Sequence, residues 1–330
     1  MRALRSRWTS MSQTLEIERR PVDGSDFRLP RIALGCGNFG GVGSSPAFFG
    51  RGLDEEQAFE LMDAAWELGI RHFDTADAYG GGRSETMIGR WIRERGLTPQ
   101  LTTKTFNPME AGADSGLAPE RIARQLDASL ARLGVDTVEL YLAHEFDPEV
   151  PVAKTFGALE SAVNAGKVRA YGVSNWNAEQ LADGLRVGSP VAVQNSHSLL
   201  DRQDERDLLP LCEERGVAYL AFGPLGGGWL TGKYRRGQPY PEGSRMTQRP
   251  EPYAAIAVDS TFDALEGLQA LAGERESSMA GLALAWLLAD ERVTEIVVGP
   301  GRPEQLDPVR EALAAPLAPE ERGELDRLFG

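Results

Sequence analysis

Short apolar runs that alternate with amphipathic segments constrain the fold of this chain more than any other feature of its sequence. Runs of strand length and segments with apolar residues at helical spacing follow each other from residue 31 onward, and no linker-like stretch interrupts them. The predicted strands cover residues 31–39, 70–76, 101–103, 137–143, 168–173, 191–194, 217–222 and 293–298. This alternation predicts an α/β protein built as a single parallel (β/α)8 barrel, the TIM barrel, rather than an open doubly wound sheet.

The predicted helices fill the intervals between these strands. Acidic residues Asp54, Glu55 and Glu56 open the first helix, and Pro119 opens another. The predicted helices cover residues 53–68, 84–95, 119–133, 152–165, 178–185, 205–215, 261–272, 279–289 and 303–312. After the seventh strand, residues 223–258 are rich in glycine and proline and lack periodicity. This predicts a long loop with a functional role.

The ends of the chain and its cysteines bear on domains and location. Residues 1–26 contain several arginines but no continuous apolar run, so we expect a flexible N-terminal tail that is neither a signal peptide nor an anchor. The barrel is then expected to cover residues 27–330. Cys36 and Cys212 lie far apart in apolar surroundings. Buried free thiols fit a reducing compartment, and we expect a cytoplasmic protein.

The charge balance excludes some partners. The chain has 35 basic and 49 acidic residues, which gives a formal net charge of -14, and no basic patch is visible beyond its first residues. Such a surface repels nucleic acid and anionic membranes. We therefore expect neither as a partner, and no apolar run approaches the length that spans a bilayer. The sequence leaves the oligomeric state open.

Polar or special residues recur where the predicted strands end. These residues are Asp74, Lys104, His144, Asn175, Gln194, Phe222 and Gly299. The C-terminal ends of barrel strands share one face, so a single pocket is predicted there. An isolated aspartate at a strand end is more often a helix cap or a turn former. The convergence of Asp74 with an amine, an imidazole and the phenol of Tyr79 in the following loop favours a catalytic site.

Two further histidines, His72 and His197, lie outside this set of strand-end residues. His72 lies two residues before Asp74 and should point inward as a hydrogen-bonded core residue, and the sequence does not decide the role of His197. No metal site is expected, because the spacings of the Cys and His residues fit none.

The first glycine motif, Gly35–Gly40, matches a dinucleotide fingerprint, but glycines and a proline follow it instead of a helix. The second, Gly227–Lys233, fails as a P-loop because Tyr234 replaces the small hydroxyl residue. Lys233 remains a candidate for contact with a phosphate as a point charge.

Several motifs together point to a known family. They are Phe73-Asp74-Thr75-Ala76 with Tyr79, Thr103-Lys104, Leu142-Ala143-His144, Gly172-Val173-Ser174-Asn175, Gln194, Gly223-Pro224-Leu225, Leu230-Thr231-Gly232-Lys233-Tyr234, and Gly299 to Leu306. In consistent order over residues 27–315, this set resembles the aldo-keto reductase family. The resemblance implies a (β/α)8 barrel that binds NADPH or NADP+ without a Rossmann domain. It also implies a catalytic tetrad of Asp74, Tyr79, Lys104 and His144.

The resemblance also implies a set of cofactor-binding residues. Ser174, Asn175 and Gln194 would hold the nicotinamide carboxamide, and Phe222 would stack on the ring. The other implied cofactor residues are Gly37, Asn38, Asp74, Gly223, Pro224, Leu225, Gly226, Lys233, Gly299, Gly301, Arg302 and Gln305. Pro308 and Val309 stand where the family usually has a Glu-Asn pair that contacts adenine, so the adenine contacts are expected to differ. His197 stands where the family often has Tyr.

The chemistry of the tetrad fits reduction of a carbonyl group. A carbonyl that receives hydride develops negative charge on oxygen, so Tyr79 can act as general acid if the Lys104 cation eases the loss of its proton. Asp74 would keep Lys104 charged, and His144 would orient the carbonyl.

We therefore expect NADPH-dependent reduction of a small-molecule aldehyde or ketone to an alcohol. The alternative is an NADP(H)-binding regulatory subunit similar to the potassium-channel β subunits. The natural substrate, the physiological direction and the strictness of NADPH over NADH are not fixed by the sequence.

Overall fold

Eight parallel strands close into a barrel in the computed structural model, which describes residues 14–330. The barrel strands are β3 (Ile32–Gly35), β4 (His72–Asp74), β5 (Gln100–Thr105), β6 (Val138–Ala143), β7 (Val168–Ser174), β8 (Ala192–Ser196), β9 (Ala218–Phe222) and β10 (Val293–Val298). Each strand pairs with the next in sequence, and β10 closes the ring on β3 with Ile296 opposite Ile32. The predicted (β/α)8 barrel is confirmed, and every strand end carries its loop to the same face.

Helices surround the barrel. They are α1 (Glu55–Leu68), α2 (Arg83–Arg95), α3 (Pro119–Leu133), α4 (Val152–Asn164), α5 (Ala178–Gly184), α6 (Leu208–Arg215), α7 (Arg245–Gln248), α8 (Asp259–Glu274), α9 (Met279–Leu288), α10 (Asp307–Ala314) and α11 (Pro319–Phe329). The acidic start expected for α1 is a capping box, in which Asp54 accepts a hydrogen bond from the N–H of Gln57 at 2.9 Å. The sequence pattern missed α11, because only Leu325 of this mostly polar helix is buried.

A β-hairpin precedes the barrel. Strands β1 (Arg19–Pro21) and β2 (Arg28–Pro30) pair antiparallel. Its buried residues Val22, Phe27 and Leu29 pack into the barrel interior against residues such as Leu140. The prediction of a flexible tail over residues 1–26 is therefore wrong for residues 14–26, and its residues 1–13 lie outside the described part. Arginines between the apolar positions hide the hairpin from a hydrophobicity pattern.

The hairpin covers the N-terminal end of the barrel. Nη1 of Arg20 donates a 2.6 Å hydrogen bond to the carbonyl of Glu291, just before β10, and Arg19 contacts Gln100, the first residue of β5. The end of the barrel that carries Asp74 and Lys104 lies opposite.

The segment between β9 and α8 is partly ordered into short turns. It contains 3-10 helices at Gly226–Thr231 and Glu251–Ile256 with α7 between them, so the expected loop lacks long elements but is not featureless. The buried ring of Tyr234 lies 4.9 Å from that of Trp229, which anchors the segment to the core. Within residues 14–330, no helix combines the length and the apolar character needed to cross a membrane.

Candidate active site

Asp74 and Lys104 form a buried ion pair at the C-terminal end of neighbouring strands β4 and β5. Nζ of Lys104 donates hydrogen bonds to Oδ1 of Asp74 at 2.5 Å and to the carbonyl of Thr75 at 2.9 Å. Both side chains are almost completely buried. The strand register brings them together, because Asp74 lies opposite Thr102 and Lys104 points inward two residues further on. The expected pairing of these residues is present.

Tyr79 stands in the loop that follows β4, next to this pair. Its hydroxyl lies 3.5 Å from Nζ of Lys104. Gly80 follows with φ of 59°, and a Cβ atom there would lie 2.7 Å from the carbonyl oxygen of Phe39, so the turn needs glycine. A Cβ atom on Gly37 would lie 3.5 Å from the Tyr79 ring, which shows how closely the backbone after β3 approaches the phenol.

His144 completes the cluster from the end of β6. Its ring lies edge-on to that of Tyr79 with 5.6 Å between centroids. The backbone N–H of His144 donates to the carbonyl of Thr105 at 3.0 Å, which ties His144 to the residue after Lys104. The structure thus brings together all members of the tetrad predicted from sequence.

Burial and charge set the protonation of these groups. Burial lowers the pKa of Lys104, but Asp74 and Tyr79 more than offset it, so the pKa is raised above its ordinary value and the amine is charged. Burial raises the pKa of Tyr79, and the Lys104 cation opposes that rise only in part. Burial, reinforced by Lys104, lowers the pKa of His144 well below its ordinary value. At neutral pH the site therefore holds a protonated phenol beside an ammonium and a neutral imidazole.

Two of the predicted cofactor residues contact the tetrad directly. Nε2 of Gln194 donates to Oδ2 of Asp74 at 2.7 Å. Asn175 has a positive φ of 58° and donates from Nδ2 to the carbonyl of His144 at 2.9 Å. A positive φ is uncommon outside glycine but is tolerated by asparagine. These amides support the tetrad, and each keeps its side-chain oxygen available as an acceptor.

The other predicted cofactor residues are arranged around the same rim. Asn38 donates from Nδ2 to the carbonyl of Pro300 at 2.8 Å, which links the ends of β3 and β10, while its buried Oδ1 has no partner within residues 14–330. Phe222 is half-buried at the end of β9. The N–H of Gly301 donates to Oε1 of Gln305 at 2.6 Å. The remaining residues of this set are Ser174, Gly223, Pro224, Leu225, Gly226 and Gly299.

Two cations lie on the outer rim. Lys233 is exposed, and its Nζ would lie 2.3 Å from a Cβ atom on Gly228, so the side chain folds back along its own loop. The side chain of Arg302 is 71% exposed, with Nε 3.8 Å from Oε2 of Glu304. Val309, at a position expected to contact adenine in the family, is buried in the core.

This rim fits a nicotinamide dinucleotide. It offers a buried acceptor at Asn38 without a partner in the described part of the chain, a half-buried aromatic ring at Phe222, and cations for phosphate. Amide acceptors and donors near the tetrad match the carboxamide of a nicotinamide.

The remaining histidines lie away from the site. His72 is hydrogen-bonded inside the barrel, with Nδ1 at 2.7 Å from Oε1 of Glu295 and Nε2 at 2.8 Å from Oγ1 of Thr102, as predicted. His197 is fully buried, and its ring lies 5.4 Å from that of Trp286. It belongs to the core, not to the substrate rim. Both Cys36 and Cys212 are buried free thiols, as predicted.

Sequence reasoning missed the polar residues behind the tetrad, namely Asp77, Thr105, Asn107 and Arg121. Asp77 and Thr105 are buried next to motif residues, since Asp77 lies two residues before Tyr79 and Thr105 directly follows Lys104. That proximity to Tyr79 and Lys104 was the available signal.

The fold and the site define a class: a (β/α)8 barrel in which Asp, Tyr, Lys and His side chains meet at the C-terminal ends of the strands. The model of the aldo/keto reductase family matches residues 31–329. This chain belongs to the aldo/keto reductase family. Membership of this family supports an oxidoreductase activity in which a carbonyl group is reduced.

Individual relatives match most of the chain. L-glyceraldehyde 3-phosphate reductase of Escherichia coli O157:H7 is 34% identical over 90% of this chain and 88% of its own length. NADH-specific methylglyoxal reductase of Escherichia coli K12 is 31% identical over 91% and 93%. A putative voltage-gated potassium channel subunit beta of Schizosaccharomyces pombe is 33% identical over 77% and 78%. The structure of a glycerol dehydrogenase from Gluconobacter oxydans superposes with a TM-score of 0.81 at 27% identity, covering 94% of both chains.

Proposed function

We propose that this protein reduces an aldehyde or ketone to an alcohol with NADPH, and that Tyr79 is the general acid. The observation that carries the proposal is the position of Lys104 Nζ, which lies 2.5 Å from Oδ1 of Asp74 and 3.5 Å from the hydroxyl of Tyr79. A buried cation held by a carboxylate beside a phenol favours transfer of the phenolic proton to a nearby developing oxyanion.

Each tetrad residue has a separate role in this proposal. The bound nicotinamide cofactor supplies hydride to the carbonyl carbon. Tyr79 holds the proton until negative charge develops on the carbonyl oxygen, and Lys104 stabilises the phenolate that remains. Asp74 keeps Lys104 in place and charged.

His144 orients the carbonyl oxygen in this proposal. Nδ1 of His144 lies 3.5 Å from Nδ2 of Asn107. This contact favours the tautomer whose Nε2–H can donate to the carbonyl oxygen.

The cofactor roles extend the same site. Ser174, Asn175 and Gln194 would hold the carboxamide, and Phe222 would support the nicotinamide face. Lys233 and Arg302 would favour NADPH, because the 2′-phosphate gains from cations and the 2′-hydroxyl of NADH gains little. One relative is named as NADH-specific, so the cofactor preference needs its own measurement.

Small aldehydes are the proposed substrates. Two relatives are named for glyceraldehyde 3-phosphate and methylglyoxal. The guanidinium groups of Arg51 and Arg249 lie 5.5 and 5.7 Å from the ring of Phe48, in two loops of the C-terminal face. Because such cations suit a phosphate group, a substrate panel should pair neutral aldehydes such as methylglyoxal and glyceraldehyde with a phosphorylated aldehyde.

Tyr79→Phe tests the general acid. The ring is kept and only the proton donor is lost, so we expect kcat with methylglyoxal or glyceraldehyde to fall by at least ~100-fold while the Kd for NADPH stays within about twofold. Tyr253→Phe, a change of the same atoms in the loop after β9, is the matched control and should keep full activity. Wild-type turnover by Tyr79→Phe contradicts the assignment.

The alternative is a regulatory subunit that binds NADP(H) and reports on it to a partner. The match to a putative potassium channel subunit beta favours keeping this candidate. Multiple turnovers per protein molecule with any aldehyde of the panel support the enzyme. Tight NADPH binding with at most a single slow turnover on every substrate supports the subunit.

A further inference from the structure

The carboxyl group of Asp77 ties the Tyr79 loop to strand β5. Asp77 is completely buried, and its N–H donates to the carbonyl of Lys104 at 2.9 Å. Its Oδ2 accepts a hydrogen bond from Oγ1 of Thr105 at 2.6 Å. Backbone and side chain thus both fix this loop to the two residues that end β5.

Arg121 in the first turn of α3 continues the connection. Nη1 of Arg121 donates to Oγ1 of Thr105 at 2.8 Å, and Nη2 donates to the carbonyl of Asn107 at 2.7 Å. The Thr105 hydroxyl has one proton to donate, and the Arg121 guanidinium can only donate to it and cannot accept that proton. With Asp77 ionised, the direction is fixed: Arg121 donates to Thr105, and Thr105 donates to Asp77.

The same residues reach His144 from the other side. The carbonyl of Thr105 accepts the N–H of His144 at 3.0 Å. Asn107, which Arg121 holds through its carbonyl, places Nδ2 at 3.5 Å from Nδ1 of His144. One buried network therefore contacts the loop of the proposed acid and the residue proposed to orient the carbonyl.

The buried charges of this network are incompletely hydrogen-bonded, so the network contributes little to the stability of the fold. Oδ1 of Asp77 has no hydrogen-bond partner within residues 14–330, and neither has Nε of Arg121. Buried charges that lack part of their partners are often replaced by apolar residues without loss of stability. Burial raises the pKa of Asp77 to about 7, because the charged carboxylate is less favourable in this buried position than in water. A role in the placement of nearby groups accounts for a carboxyl group at this buried position.

We propose that Asp77 and Arg121 are positioning residues that act through Thr105, holding the hydroxyl of Tyr79 near Lys104 and the ring of His144 toward the substrate. The inference rests on the proposed function of the tetrad and goes beyond it. Both side chains are buried behind the tetrad and meet at Thr105, so their contribution is geometric. A displacement of a reacting group by about 1 Å can lower a rate by as much as ~100-fold.

The groups that face Asp77 determine how the network responds to pH. Glu85 on α2 raises its pKa further, while Thr105 on β5 and Arg121 on α3 lower it. Tyr141 on β6 also faces Asp77, since burial raises the pKa of Tyr141 and the charge of Asp77 raises it further. When Asp77 is protonated, it can donate to Thr105, and the hydroxyl loses its fixed direction. We therefore expect an acid limb near pH 7 in the kcat of the wild-type protein that depends on Asp77.

The test compares three variants in the full chain. Asp77→Asn keeps the shape but removes the charge, Thr105→Val removes the hydroxyl at constant volume, and Thr105→Ser restores it. We expect roughly 10- to 100-fold lower kcat for Asp77→Asn and Thr105→Val, with the Kd for NADPH within about twofold. Thr105→Ser should recover most of the rate. The acid limb near pH 7 should disappear in Asp77→Asn.

Asp114→Asn is the matched control, because this exposed carboxylate lies 3.8 Å from Nε of Arg121 but has no contact with the Tyr79 loop. It should keep the wild-type rate and pH profile. The proposal is overturned if Asp77→Asn and Thr105→Val keep the wild-type kcat and acid limb, or if kcat and NADPH affinity fall together with thermal stability.

Failure of this inference is distinguishable from failure of the proposed function. An active Tyr79→Phe contradicts the proposed function whatever Asp77 does. An inactive Tyr79→Phe together with a fully active Asp77→Asn contradicts only the positioning role.

Discussion

Gln194 donates a hydrogen bond from Nε2 to Oδ2 of Asp74, with 2.7 Å between the two atoms. The other oxygen of the same carboxylate accepts from Lys104. The two side chains lie on β8 and β4, which do not pair with each other in the barrel. Gln194 therefore reaches across the barrel interior, and it completes the hydrogen bonding of a carboxylate that has almost no access to water.

Gln194→Leu should destabilise the protein. It leaves Oδ2 of Asp74 buried without a donor, which costs about 1–3 kcal/mol in the free energy of unfolding. Urea unfolding of wild type and variant measures the difference. Gln203→Leu is the control, because within residues 14–330 the Gln203 side chain makes only an exposed contact with Asp201. Equal stability of the two variants would show that the Gln194 contact contributes nothing.

Asp77→Asn should become relatively more stable as the pH rises. The pKa of Asp77 is raised from 3.8 to about 7, mainly by burial. A carboxyl group whose pKa is raised by folding stabilises the folded state fully at pH values below its ordinary pKa. This contribution is lost progressively as the pH rises through the folded pKa of about 7. Asparagine cannot ionise. Between pH 5 and pH 8 the difference in unfolding free energy should therefore shift toward the variant by on the order of 2–3 kcal/mol.

Urea unfolding at both pH values, with Asp114→Asn as the exposed control, measures this shift. A pH-independent difference between Asp77→Asn and wild type would mean that Asp77 ionises as it does in the unfolded chain.

Phe222→Ala should weaken NADPH binding. The half-buried ring at the end of β9 is proposed to stack on nicotinamide, and loss of such stacking costs ~1–3 kcal/mol on nucleic-acid bases. Fluorescence titration with NADPH measures the Kd. Phe222→Trp keeps a planar surface and should retain affinity. Unchanged affinity in Phe222→Ala would assign the ring to packing alone.

Lys233→Ala and Arg302→Ala should each reduce the preference for NADPH over NADH. A lost charge-assisted contact to the 2′-phosphate lowers affinity for NADPH by up to about tenfold and leaves NADH nearly unaffected. Both side chains are solvent-exposed, so added salt should lower the preference in wild type as well. Competition titrations give the ratio of the two Kd values.

Lys154→Ala removes an equal charge from the exposed surface of α4 and is the control for this effect. If both rim variants keep the wild-type ratio, these residues do not contact the 2′-phosphate. If wild type prefers NADH, NADPH is not the cofactor.

Much of the fold could be predicted because its signals are local. The period of the apolar residues identified the barrel strands and most helices, and α3 has the bounds that the sequence indicated. The hairpin before the barrel could not be identified in this way. Its buried residues Val22 and Leu29 stand among arginines, and they become a hydrophobic surface only against the barrel interior.

The candidate site divides along the same line. The sequence alone predicted that Asp74, Lys104 and His144 end strands on one face with Tyr79 in the loop beyond the first of them, and the resemblance to the family implied that they form a tetrad. The resemblance also implied a rim that carries amides, an aromatic ring and cations.

Only the tertiary structure decided which of these groups touch. The bond from Gln194 to Asp74, and the path from Arg121 through Thr105 to Asp77, join residues far apart in the sequence. Their distances depend on the register of the closed barrel and on the packing of α3 against β5. Sequence periodicity specifies which face a side chain occupies, but the partner it meets there is set by the closure of the sheet.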